Sequence, residues 1–200
     1  TRSFHVTGVQ TCALPILIVI ADQMRASSPS AVARLRALGV EILMLTGDHP
    51  STARAIADAS SITNFRAQVL PQDKANEVVT AHARGRFVGM VGDGINDAPA
   101  LAAADVGFAI GSGADVAIQS ADVTLMRSDL TSVADAISLS RATLRKIRQN
   151  LFFAFIYNLL GIPLAAAGLL NPVIAGAAMA LSSVSVVTNS LMLKRWKPGN

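Results

Sequence analysis

Two stretches, 151–170 and 173–193, contain no charged residue over 20 and 21 consecutive positions. As helices rising about 1.5 Å per residue, each is long enough to cross a hydrocarbon layer of ~30 Å. Only Asn171 and Pro172 separate them, which predicts an antiparallel transmembrane hairpin that returns the chain to the side it left. Arg141, Arg145, Lys146 and Arg148 precede the first span, and Lys194, Arg195 and Lys197 follow the second beside Trp196. Basic flanks of this kind place both ends in the cytoplasm. A buried hairpin in a large soluble protein is the competing reading, and the charge-free length with basic flanks argues against it.

Charge divides the chain at the same place. Residues 1–140 carry 10 basic and 13 acidic side chains, whereas 141–200 carry seven basic and none acidic. The pI of 9.8 therefore belongs to the membrane half, and nucleic acid is not an expected partner of the rest. An apolar fraction of 52% excludes intrinsic disorder. Cys12 is the single cysteine, so no internal disulfide forms, and no Cys/His cluster has zinc spacing.

The spans carry more polar groups than lipid anchors need: Tyr157, Asn158, Gly161 and Pro163 in the first, and Ser182, Ser183, Ser185, Thr188, Asn189 and Ser190 in the second. Such groups belong on a bundle interior or a pathway, and Ser185, Thr188 and Ser190 read most simply as close-packing positions. Met179 stands three and four residues before Ser182 and Ser183, so a thioether and two hydroxyls gather on one helical face near mid-span. Thioether sulfur suits a soft ion such as Cu(I), although a lone methionine more often only packs.

Before the spans, short β-rich runs at Leu17 to Ile20, Val40 to Leu45, Phe87 to Val91, Val106 to Ile110 and Val123 to Leu125 alternate with helical stretches. The pattern predicts a Rossmann-type parallel α/β sheet. Functional residues of such sheets lie beyond the carboxyl ends of the strands, where Thr46-Gly47-Asp48 and Asp93-Gly94-Ile95-Asn96-Asp97 fall. Leu70-Pro71-Gln72-Asp73-Lys74 opens a helix with a lysine near its start. Pro50 reads as a first-turn helix residue.

These pieces suit phosphoryl transfer, in which charge on the phosphoryl oxygens is met by fixed donors, a cation and Mg²⁺. Asp93 offers a hard oxygen to Mg²⁺. Asn96 and Asp97 can hydrogen-bond the phosphoryl group or metal-bound water, and Gly92 and Gly94 let the backbone turn tightly against the metal. Thr46 supplies a hydroxyl and loop amides, and Lys74 a point charge. Singly, each is as consistent with a turn or a solvated side chain; together and in this order they are not.

Thr46-Gly47-Asp48, Leu70-Pro71-Gln72-Asp73-Lys74 and Gly92-Asp93-Gly94-Ile95-Asn96-Asp97-Ala98-Pro99 resemble the later phosphorylation-domain motifs of P-type cation-transporting ATPases, which have a haloacid dehalogenase-like fold. Ala114-Asp115-Val116-Ala117, Tyr157-Asn158 and Met179-x-x-Ser182-Ser183 resemble the copper(I) branch of the heavy-metal group. The resemblance covers about residues 18–195. It implies an α/β haloacid dehalogenase-like partial domain followed by an all-α transmembrane hairpin, in a pump that couples ATP hydrolysis through an aspartyl phosphate to copper(I) export. It implies catalytic roles for Thr46, Gly47, Asp48, Lys74, Asn96 and Asp97, with ATP handled by Thr46, Lys74 and Asn96. Asp93 and Asp97 would serve Mg²⁺, and Tyr157, Asn158, Met179, Ser182 and Ser183 the transported Cu⁺. Implied partners are the lipid bilayer of a bacterial plasma membrane, the remainder of the same pump and a copper chaperone.

The implied division is a phosphorylation-domain part at 17–140, a cytoplasmic connecting helix at 141–150, spans at 151–170 and 173–193, and a cytoplasmic tail at 194–200. Residues 1–16 match no part of the family and read as foreign sequence; a signal peptide is the rival, weakened by Pro15 inside a short apolar run. The Asp-Lys-Thr-Gly run that bears the phosphorylated aspartate in this family does not occur, nor does the transmembrane Cys-Pro-Cys. The chain is accordingly expected to be a carboxyl-terminal piece, inactive alone. His49-Pro50 follows Thr-Gly-Asp where the family usually has Asn. Two alternatives are a zinc or cadmium pump of the same group, for which the spans lack the expected acidic residue and lysine, and a membrane-anchored phosphatase of the same fold, for which Asp22 is the only early nucleophile.

Overall fold

The computed structural model describes residues 24–92, 95–111, 115–127, 129–168 and 171–198. The expected first strand at 17–20 lies outside them, as do Asp93 and Gly94 and the whole 1–16 segment. The order is α1 (Ser28–Ala37), β1 (Leu43–Leu45), α2 (Pro50–Ala59), β2 (Asn64–Arg66), α3 (Pro71–Ala83), β3 (Gly89–Gly92), α4 (Ala98–Ala103), β4 (Val106–Ile110), α5 (Asp115–Gln119), β5 (Val123–Leu125), α6 (Thr131–Ala166) and α7 (Pro172–Leu191). Prolines mark the helix starts: Pro29, Pro50, Pro71, Pro99 and Pro172 occupy first or second helical positions, where a missing N–H costs nothing.

Every strand pairing among the described residues is parallel, as the alternation predicted, but the strands form two sheets. β1 pairs with β2, and β3, β4 and β5 form the other in that order. Strand β2 had no expected counterpart: Asn-Phe-Arg is three residues long with one half-buried side chain, too short to show a period of two. The first two expected strands within the described residues are also displaced, beginning at Leu43 instead of Val40 and at Gly89 instead of Phe87. Val40 instead closes the end of α1, its amide donating to the Leu35 carbonyl at 3.0 Å.

The core gathers Leu35 of α1, Phe108 of β4, Leu125 of β5, and Val133 and Ala134 of α6. The first turns of α6 are thus part of the α/β unit. Arg34 donates to Asp135 at 2.6 Å, and Arg141 Nη1 donates to the Leu38 carbonyl at 2.6 Å, so α1 grips α6 over about two turns. Asp129 caps its start by accepting from the Thr131 amide at 2.9 Å, and that bond chiefly holds the Asp129 carboxyl below its usual range.

From this anchor α6 continues unbroken for 36 residues, about 54 Å. The connecting segment 141–150 and the first span are therefore one rod. It ends at Ala166 rather than at 170, because Pro163 withholds an amide from the last turns and Gly168, at φ +70°, takes the left-handed conformation that closes a helix. The connection consequently begins at Ala167, and Pro172 belongs to α7 instead of the turn. Asn171 caps α7 by accepting from the Val173 amide at 2.9 Å.

The hairpin seam is polar at the end next to the α/β unit. Lys146 Nζ donates to Asn189 Oδ1 at 2.8 Å, Asn189 Nδ2 to Asn150 Oδ1 at 2.7 Å, Asn150 Nδ2 to Ser190 Oγ at 2.8 Å, and Ser190 Oγ to the Val186 carbonyl at 2.8 Å. Each donor in this run has an acceptor, so a lysine is accommodated where α6 enters its apolar stretch.

Candidate functional site

The site is built at strand ends. Gly92, the last residue of β3, is buried, and a Cβ there would stand 2.6 Å from the Asp97 Cβ. Only glycine lets the short 3-10 turn Ile95–Asp97 fold back against the strand. That turn buries Asp97 to 8% exposure, and Lys74 Nζ, from the first turn of α3, reaches Asp97 Oδ1 at 2.6 Å. Pro71 starts α3 at the point that sets this reach. The ion pair is partly buried on both sides, where its Coulomb term exceeds that of a surface pair.

Thr46 follows β1, its amide donating to the Arg66 carbonyl at 3.0 Å. Its hydroxyl donates to Asp48 Oδ2 at 2.9 Å and accepts from the Asp48 amide at 3.1 Å. The Gln68 amide donates to the Asp48 carbonyl, and the Val69 amide to the Thr46 carbonyl, both at 3.0 Å, so the loop is pinned to the segment leading into α3. His49 then caps α2, its Nδ1 accepting from the Ser51 amide. Gly47, Asp48 and Asn96 are exposed.

The structure thus joins Lys74 with Asp97, and Thr46 with Asp48, while among the described residues no hydrogen bond links the two pairs. Asp93 lies outside the described residues. Among those residues no cluster of three His, Cys, Asp or Glu side chains could hold a metal. Asp97 Oδ1 is taken by Lys74, and Oδ2 lies against Gly92, where a Cβ would come within 2.9 Å of it. The hard carboxylate oxygens of Asp97 are of the type Mg²⁺ takes, one or two protein carboxylates to an ion that retains waters.

In the hairpin the predicted ion-path residues separate by face. Tyr157 and Ser182 are half-buried, on the α6 and α7 stripes that include Asn150 and Asn189. Asn158, Met179 and Ser183 face outward, Met179 at 74% exposure. Asn158 Nδ2 donates to the Ala154 carbonyl at 2.9 Å, and Ser183 Oγ to the Met179 carbonyl at 3.2 Å, so both side chains are occupied within their own helices. The polar run from Lys146 to Ser190 was not foreseen as a unit. Its signal was present: Lys146, Asn150, Asn189 and Ser190 occupy matching ends of two antiparallel spans.

Comparison with known proteins agrees with this architecture. The family of haloacid dehalogenase-like hydrolases matches residues 7–105. A relative from Synechocystis sp. named "Probable copper-transporting ATPase PacS" is 58% identical, over 91% of this chain and 25% of its own length. The "Copper-exporting P-type ATPase" of Bacillus subtilis is 56% identical, over 90% of this chain and 23% of its own. The chain thus spans about a quarter of the length of these relatives. The crystal structure of a zinc-transporting PIB-type ATPase superposes with a TM-score of 0.78 at 40% identity, covering 86% of this chain and 28% of that one. The chain belongs to the P-type ATPases, as a portion that joins a haloacid dehalogenase-like unit to two membrane-length helices.

Proposed function

We propose that this chain is the late phosphorylation-domain and final-hairpin portion of an ATP-driven copper(I)-exporting P-type ATPase in a bacterial plasma membrane. The observation that carries the reading is one continuous helix, α6, rooted in the same α/β unit that positions Lys74 on Asp97 and running on through an apolar span. Such a rod transmits movement at a phosphate site to the membrane without an intervening hinge. The identities to copper-transporting relatives, and Met179 near mid-span, favour copper over zinc. The zinc-transporting structural relative supports the same architecture at lower identity.

In this reading Lys74 and the Thr46 loop meet phosphoryl oxygens, and Asp97 orients Lys74. Asp93 and Asp97 would hold Mg²⁺, which neutralises charge on the phosphoryl oxygens when bound. ATP, a copper chaperone as metal donor, and the remaining segments of the pump are the other expected partners, and the isolated chain is expected not to turn over ATP. Tyr157, Asn158, Met179, Ser182 and Ser183 would border the ion path, with Asn158, Met179 and Ser183 directed toward helices supplied by the rest of the pump.

The test is a chimera in which residues 24–198 replace the matching quarter of the B. subtilis copper exporter. Inverted vesicles containing it should accumulate Cu⁺ on addition of ATP, and Met179→Leu should diminish that accumulation. ATP hydrolysis by an inserted chimera without Cu⁺ dependence, or with zinc as the preferred ion, would overturn the copper assignment.

A further inference from the structure

Where α6 passes from its polar to its apolar stretch, Arg145, Lys146, Arg148, Gln149, Phe152 and Phe153 line a groove of about 460 Å³ with Asn189 of α7. The cations in it are not equivalent. Lys146 directs its ammonium inward to Asn189, whereas Arg145 and Arg148 are exposed and, among the described residues, have no acidic partner. Nor can a nearby residue in sequence supply one, because 141–200 contains no Asp or Glu. Arg145, Arg148 and Phe152 are spaced by three and four residues, so two guanidinium groups and a ring lie along one helical face. Phe152 and Phe153 meet edge to face, centroids 6.0 Å apart at 63°.

We propose that this groove is a binding site for an anionic phospholipid of the cytoplasmic leaflet, with Arg145 and Arg148 on its phosphate and Phe152 and Phe153 against the upper acyl chain. Guanidinium forks match phosphate oxygens in pairs, and the basic flank lies at the depth where headgroups lie. The apolar half of the groove has nothing to offer free phosphate, so charge and apolar surface together select a lipid. The site rests on the membrane placement of α6 and α7 and is independent of which ion is transported.

The full chain, purified in a neutral detergent, is titrated with phosphatidylglycerol or phosphatidylcholine, and bound lipid is counted by native mass spectrometry. Phosphatidylglycerol should bind more tightly, and excess inorganic phosphate should not displace it. Arg145→Gln with Arg148→Gln should weaken it about 30-fold. Lys194→Gln with Lys197→Gln removes the same charge and should weaken it far less. Both double variants change exposed residues, and unchanged helix content by circular dichroism verifies their folding. Equal losses in the two variants, displacement by phosphate, or no preference for the anionic lipid would overturn the site. So would loss of the preference in the complete pump while it persists in this chain, because another segment of the pump would then fill the groove.

Discussion

The α/β unit and the hairpin are built inside out relative to one another. In the α/β unit Val32, Leu35, Leu101, Phe108 and Val133 are buried, while Thr46, Gly47 and Asp48 line its strand-end rim. In the hairpin Phe152, Phe155, Leu159, Leu160 and Ile162 face outward, and among the described residues the buried group is Asn189, with Lys146 and Asn150 bonded to it. The difference follows from the solvent. Water drives apolar surface inward, whereas a hydrocarbon layer has no such effect and leaves interhelical hydrogen bonds and close packing to hold helices together.

If that contrast holds, the same kind of truncation has opposite consequences in the two regions. Phe108→Ala should destabilise the α/β unit by about 3–5 kcal/mol through a cavity and lost burial, measured by denaturant unfolding of the full chain. Phe155→Ala, on the outer surface of α6 at 69% exposure, should leave that transition unchanged. A comparable loss from Phe155→Ala would mean that this face packs against protein.

The proposed role of the α/β unit is tested at Lys74. In the complete pump Lys74→Ala should lower turnover by about 10²–10³-fold, the usual loss when one preorganised charge is withdrawn from a developing anion. Phosphorylation by ATP and by inorganic phosphate would both be measured, and near-normal levels of both would remove Lys74 from the site.

A smaller effect is expected in the membrane seam. Asn189→Leu removes the link between Lys146 and Asn150, and should weaken helix association by about 0.6–2 kcal/mol, read from steric-trap or mild-detergent unfolding. A much larger loss would mean that Lys146, deprived of its acceptor, behaves as an unpaired buried charge.

The smallest effect is a pH dependence confined to the α/β unit. Asp105 accepts from the Val88 amide at 2.7 Å and lies 2.8 Å from His82 Nε2. The Val88 bond chiefly holds its carboxyl below the usual range, with His82 contributing. Since its folded value lies below the unfolded one, the stability it contributes is complete above the unfolded range near about pH 4 and disappears as pH falls through the folded value. Asp105→Asn should flatten stability in that acid window alone, and an unchanged profile would show that the pair does not contribute.

Much of this was legible because it depends on neighbours in sequence. The spans, the helix starts at Pro50 and Pro71, and the strands at 106–110 and 123–125 follow from composition and period. Lys74 and Asp97 could each be singled out from their motifs, but not as partners at 2.6 Å. Their distance depends on how α3 lies across β3 and on Gly92 yielding space to Asp97. Strand β2 was missed because three residues hold too little pattern. The end of the first span was misplaced because a charge-free run continues past the point where Pro163 and Gly168 end the helix.

The amino-acid sequence by itself determined that this protein has a parallel α/β unit, two membrane-length helices and polar motifs at its strand ends, because charge-free length, turn chemistry and strand-end motifs are local properties. Only the tertiary structure decided which residues meet. It brought together Lys74 and Asp97, 23 positions apart, and Lys146 and Asn189, 43 apart. It also turned Tyr157 and Ser182 toward the seam while leaving Met179 outside. Such pairings depend on the rotation and offset of whole elements against one another, and packing sets these where the periodicity of a single segment cannot.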